Sequence, residues 1–192
     1  AVHAMEFVGP PFIFNFRQLG SNCGIAGQHA AIELDGRIFW MGAKDFFVYD
    51  GAVKALPCTV RRFVYDDFNF DQKEKVYAGT NQEFREVTWL YPSKNSTEVD
   101  RYVSYNPVEN YWTFGTTIFT TWEDKEVFQN IITTGQEEDG DNYLYTNEPE
   151  GIYTADGQRQ EAFLESSEFD TTPPSYGPGD SIMSVSYTHL RA

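Results

Sequence analysis

AAIELDG (30–36), RIFWMGA (37–43), DFFVYDG (45–51) and AVKALPC (52–58) are four short apolar or alternating runs separated by turn residues. A second set repeats the layout: EKVYAGTN (74–81), EVTWLYP (86–92), DRYVSYN (100–106) and NYWTFGT (110–116). Four short strands joined by tight turns are how one antiparallel blade of a β-propeller reads in sequence. Each set carries a tryptophan in its second run, and Trp40 and Trp89 lie 49 positions apart, near a known blade period of about 50. Residues 31–115 therefore decide the fold: mostly β, a partial β-propeller of four-stranded antiparallel blades with one short inserted helix.

Turn chemistry supports the strand reading. Asp35-Gly36 separates AIEL from RIFW, Asp50-Gly51 separates FFVY from AVKAL, and Asp156-Gly157 separates GIYTA from QRQEAFLE. Asp-Gly between strand-like runs predicts a type I′ hairpin, because both central residues need φ > 0. Ile32 and Leu34 alternate with Glu33 and Asp35, and Val87, Trp89 and Tyr91 alternate with Thr88 and Leu90. A period of 2 predicts half-buried strands, whereas RIFWM is apolar on both faces, as in a strand sandwiched between blades. The expected blade core is Trp40, Phe47, Tyr49, Trp89, Tyr91, Val103, Tyr105 and Trp112.

Between the two sets, Val60, Phe63, Val64 and Phe68 fall at i, i+3, i+4 and i+8, one face of a helix. Thr59 is placed to cap it, and Asp66 and Asp67 oppose the macrodipole at its end, so the helix should be short. The expected organisation is an upstream linker or partial blade (1–23), a blade (24–58), the helical insertion (59–70) and a second blade (71–115). Partial further blades (116–170) and a Pro-rich linker (171–184) follow. The last eight residues, VSYTHLRA (185–192), resemble the translation of a sequencing adapter, so the expectation is a metagenomic fragment.

Composition narrows the function. The formal charge of −15 opposes nonspecific DNA coating, which needs clustered Lys and Arg, and is compatible with a lining over which DNA passes without sticking. Cys23 and Cys58 belong to no metal-binding spacing; they either pair or stay free. No run of 18 apolar residues marks a membrane span. Sequence motifs for a nucleophile, a P-loop or a zinc protease are missing, and no cofactor is expected. Glu137, Glu138, Asp139 and Asp141 suit Ca²⁺ in ligand type but lack the twelve-residue loop spacing, so a solvated hairpin tip is the better reading.

GRIFWMGAKDFFVYDGAVKALPCTV together with NQEFREVTWLYPSKNSTEVDRYVSYNPVENYWTFG resembles the propeller-containing tail hub, nozzle or packaged-DNA stabilisation proteins of short-tailed bacteriophages. NYLYTNEPEGIYTADGQRQEAFLESSEFD resembles their continuation, so the likeness spans roughly residues 24–170. It implies a non-enzymatic virion structural protein of the tail or head-to-tail connector, made in the bacterial host cytoplasm. Such a protein forms a ring-shaped homo-oligomer, a hexamer by resemblance, beside other tail or portal proteins, and retains and conducts the genome during DNA ejection. It binds neither sequence-specific nucleic acid nor membrane. The alternatives are a propeller-type glycan-active enzyme and a kelch-like protein-binding scaffold.

Overall fold

A computed structural model describes residues 1–125, 130–136 and 140–147, and beyond them the backbone of six short strand segments between 154 and 189. Ala1–Pro149 and Glu150–Ala192 are separate compact units. Among the described residues the first contains four antiparallel sheets. Strands Val2–Phe7 (β1) and Phe14–Gly20 (β2) form a hairpin. Ala31–Leu34 (β3), Arg37–Met41 (β4), Phe46–Tyr49 (β5) and Val53–Ala55 (β6) form a four-stranded meander in sequential order. Helix Arg61–Asp67 (α1) and a 3₁₀ turn, Phe70–Lys75, lead to a second four-stranded meander. Its strands are Tyr77–Asn81 (β7), Glu86–Tyr91 (β8), Arg101–Asn106 (β9) and Tyr111–Thr116 (β10). Phe119–Glu123 (β11), Ile132–Gln136 (β12) and Asn142–Thr146 (β13) make a three-stranded sheet.

The two meanders bury one face each against the other. Ile32, Phe39, Met41, Phe46 and Val48 of the first meet Ala78, Val87, Trp89, Tyr91, Val103 and Tyr105 of the second, with Val64 and Phe68 from the helical insertion. The registers explain this set. Phe39 lies opposite Val48 and Met41 opposite Phe46, while Trp89 lies between Ala78 and Val103, so each group points to one side of its sheet. The Trp89 ring lies 4.9 Å from Phe46 and 6.1 Å from Trp112, within the range in which aromatic pairs add to simple burial.

Strand β8 is buried on both faces, where alternation alone predicted a half-buried strand. Its second face carries Thr88, whose hydroxyl meets Ser104 at 2.6 Å, and lies beside Gly79. Trp122 of β11 fills the space over Gly79 so closely that a Cβ there would meet the indole at 2.2 Å. The third sheet therefore covers the far side of the second. Thr80 C=O accepts from Trp122 Nε1 at 2.7 Å and completes the join.

The first meander corrects the expected core. Phe47 and Tyr49 are only half-buried, while Phe46 and Val48 are buried. The run is FFVY, apolar on both faces, so composition did not fix which residues point inward; the pairing of Phe46 with Met41 does. Trp40 is buried on the opposite face, stacked on Phe47 at 5.5 Å. Trp112 is half-buried against the core rather than within it.

Turns and caps need similar correction. At Asp35 and Gly36 φ is 53° and 73°, as a type I′ turn requires. Asp50, Gly51 and Ala52 form a three-residue loop in which Gly51 alone has positive φ, so this hairpin is not type I′. Helix α1 starts after Val60, with no side-chain cap from Thr59. Phe63, assigned by period to the buried face, is 49% exposed and packs on Phe114 at 4.3 Å. Asp67 pairs with Arg101 at 3.2 Å.

Within residues 1–23, expected as an upstream linker or partial blade, Val2–Phe7 and Phe14–Gly20 form a two-stranded hairpin. In the second unit, Thr154–Ala155 pairs with Gln158–Arg159, Phe163–Glu165 with Tyr187–His189, and Phe169–Asp170 with Met183–Ser184. Asp156-Gly157 lies outside the described residues, as do Glu137, Glu138 and Asp139. The fold is mostly β, built of antiparallel sheets, and the described residues form no closed barrel or propeller.

Truncating Trp89 to Ala should cost about 3–5 kcal/mol, and Phe47→Ala, at a half-buried site, less than half as much. Urea denaturation of both variants checks the ranking; a loss under about 1 kcal/mol for Trp89→Ala would remove it from the core.

Candidate functional site

The first strands of the three successive sheets stand side by side. His29, just before β3, makes a parallel bridge to Tyr77 at the start of β7, and its carbonyl accepts from Ala78 N–H at 2.8 Å. The His29 and Tyr77 rings stack at 5.3 Å. Strand β11 then runs against β7, anchored by Trp122 over Gly79. Between the three strands lies a groove of about 220 Å³, lined by Ile32 and Glu33 of β3, Tyr77, Gly79 and Thr80 of β7, and Trp122 to Asp124 of the β11 end.

The groove is acidic and held in place by hydrogen bonds. Asp124 accepts from Thr80 Oγ1 at 2.8 Å, from Gln82 N–H at 3.2 Å and from Lys125 N–H at 2.7 Å. Its carboxylate thus ties the end of the third sheet to the β7–β8 turn. Lys125 pairs with Glu83 on the same turn. Glu33 and Glu123 are exposed to solvent. A volume of about 220 Å³ falls below the roughly 300–1,000 Å³ of drug-sized ligand pockets, so the groove is too small to enclose such a ligand. Among the described residues no three His, Cys, Asp or Glu side chains gather in a metal-holding group.

A second feature is the β1–β2 hairpin, which alternation alone did not single out. Phe7 pairs with Phe14 and Met5 with Phe16, on one face, while Glu6–Asn15 and Ala4–Arg17 occupy the other. The apolar face is uncovered: Met5 is 61% exposed, Phe7 69%, Phe14 49% and Phe16 67%. The tip adds Val8, Phe12 and Ile13, all exposed. The readable signal was the strict alternation FNFR opposite MEF, hidden by the apolar, Pro-containing tip VGPPFI that joins the two runs.

Several buried acids sit beside the core without joining the groove. Cys23 is buried and Cys58 half-buried, and both are free thiols. Burial pushes the Cys58 thiol up to about 11, against the opposing pull of the Val60 N–H and Arg61. Burial likewise pushes up the Tyr65 phenol, which donates to Gly42 C=O at 3.0 Å. It also raises the Tyr91 phenol, whose buried Oη has no hydrogen-bond partner.

For all three groups the neutral form is the one folding favours. Their stabilising contribution is complete below the unfolded-state values and is lost as pH rises through the folded ones. Stability should therefore hold level from neutrality to the ordinary thiol value of 9.0 and fall above it. The urea midpoint measured across that range checks this; a midpoint that rises in alkali would contradict it.

Gly79→Ala should loosen the third sheet by about 1–3 kcal/mol through overpacking against Trp122, visible as altered Trp fluorescence before the main unfolding step. Compared with models of known protein families and with curated proteins, the sequence matches none.

Proposed function

We propose that this chain is a non-enzymatic structural component of a phage tail or head-to-tail connector. In this reading its three sheets are consecutive blades of a propeller in a ring that retains and conducts the genome. The observation that carries the proposal is the alignment of β3, β7 and β11, the first strand of each sheet, along one acidic groove. In a propeller the first strand of each blade faces the central axis, so Glu33, Glu123 and Asp124 would belong to the axial surface. A carboxylate wall repels phosphates, and a formal charge of −15 extends that field over the whole chain. Packaged DNA would then slide past such a wall without being held by it. The likeness to short-tailed phage tail proteins supplies the biological setting, with a sixfold ring and portal or tail proteins as neighbours.

Electron microscopy of the protein purified at high concentration should show rings with an axial channel; particles without ring symmetry would contradict the proposal. In gel-shift assays at low salt the wild type should leave duplex DNA unretarded, and Glu33→Lys/Glu123→Lys should create salt-sensitive retention. Tight DNA binding by the wild type would remove the repelling-wall mechanism.

A further inference from the structure

The β1–β2 hairpin has an exposed Phe/Met face, and an isolated two-stranded sheet is marginal in water. With exposures of 49–76% among its large apolar side chains, the hairpin and tip present on the order of 800 Å² of apolar surface. That exceeds the few hundred Å² typical of a soluble monomer's largest patch. It also equals the roughly 800 Å² per partner of a stable protein interface.

Charge selects the occupant. Residues 1–20 hold one acidic side chain, Glu6, and one basic one, Arg17, so the formal charge of −15 resides in the rest of the chain. Copies approaching through their bodies meet like charge, whereas an approach through the neutral hairpin avoids that cost. The body offers a matching surface at β10, the open outer strand of the second meander. There Phe114 (44% exposed) and Phe63 (49% exposed) stack at 4.3 Å and form an apolar rim. Strand β10 and strand β1 each span six residues and have one edge unpaired among the described residues. A hairpin added to β10 would satisfy both edges and lay its phenylalanines over the rim.

We infer that the hairpin is an assembly arm that docks on the Phe63–Phe114 rim of a second copy of this chain. Arm and rim are different surfaces, so the contact is head-to-tail and propagates to a ring when the rotation closes. The inference rests on the structural-assembly reading and names the contact that would build the assembly.

Sedimentation velocity on the full 192-residue chain tests it, with an arm variant (Phe7→Glu/Phe16→Glu) and a rim variant (Phe63→Glu/Phe114→Glu). The wild type should associate, and each variant should raise the dissociation constant on the order of a hundredfold and sediment as a monomer. An equimolar mixture of the two variants should give a one-to-one dimer, because one retains a sound rim and the other a sound arm. Near-ultraviolet circular dichroism checks that the variants fold; Phe7→Ser/Phe16→Ser replaces the arm variant if charge disrupts it.

A wild-type monomer, an oligomer that persists in both variants, or a mixture that stays monomeric would each overturn the inference. So would wild-type chain that is monomeric in solution but sediments with phosphatidylcholine vesicles, which would assign the arm to lipid. Rings seen by electron microscopy beside any of these results would sink the arm alone and leave the channel reading standing.

Discussion

The Trp89 indole lies fully buried between two sheets and donates from Nε1 to the Ala30 carbonyl at 3.1 Å. That bond ties the second strand of one meander to the entry of the previous one. Trp40, 49 residues earlier, makes the same kind of bond, donating to the Cys23 carbonyl at 3.0 Å. Both indoles donate to carbonyls of the segment leading into β3, Trp40 to the entry of its own sheet and Trp89 to the entry of the preceding one. An indole N–H buried without an acceptor would be costly, and the need to satisfy it helps hold the second meander against the entry of the first. Trp122 repeats the device one strand earlier in the third sheet, donating to Thr80 C=O.

This constraint explains why the groove exists. Once Trp89 fixes the second meander on Ala30, His29 is brought to Tyr77 and β3 comes to run beside β7. Once Trp122 is seated over Gly79, β11 joins them on the other side. Glu33, Glu123 and Asp124 then line one groove although they are up to 91 positions apart in sequence. That shared lining is a product of packing, and no local motif encodes it.

That difference marks what the chain made legible. Strand positions, the Asp35-Gly36 turn and the 49-residue spacing are local features, written in alternation and turn residues. The equivalence of Trp40 and Trp89 was readable from the spacing, because residues at one position of a repeated meander face one direction. Which of Phe46 and Phe47 points inward was not readable, since both are phenylalanine and the choice depends on pairing with Met41. Phe63 shows a related limit: the helical period put it with Val64, but α1 is seven residues long and ends before that face is covered. The groove and the exposed arm depend on which sheets are neighbours, which a single sequence does not carry.

The central claim is that tryptophan-anchored stacking makes the first two meanders one cooperative body. Native-state hydrogen exchange tests it most directly, by comparing amides of β4 and β5 with those of β8 and β9. The account predicts that both sets exchange through one opening event with the same free energy and the same denaturant dependence. Exchange of β4 and β5 through a separate, lower-energy opening while β8 and β9 stay protected would contradict it, and would make each meander an independent unit.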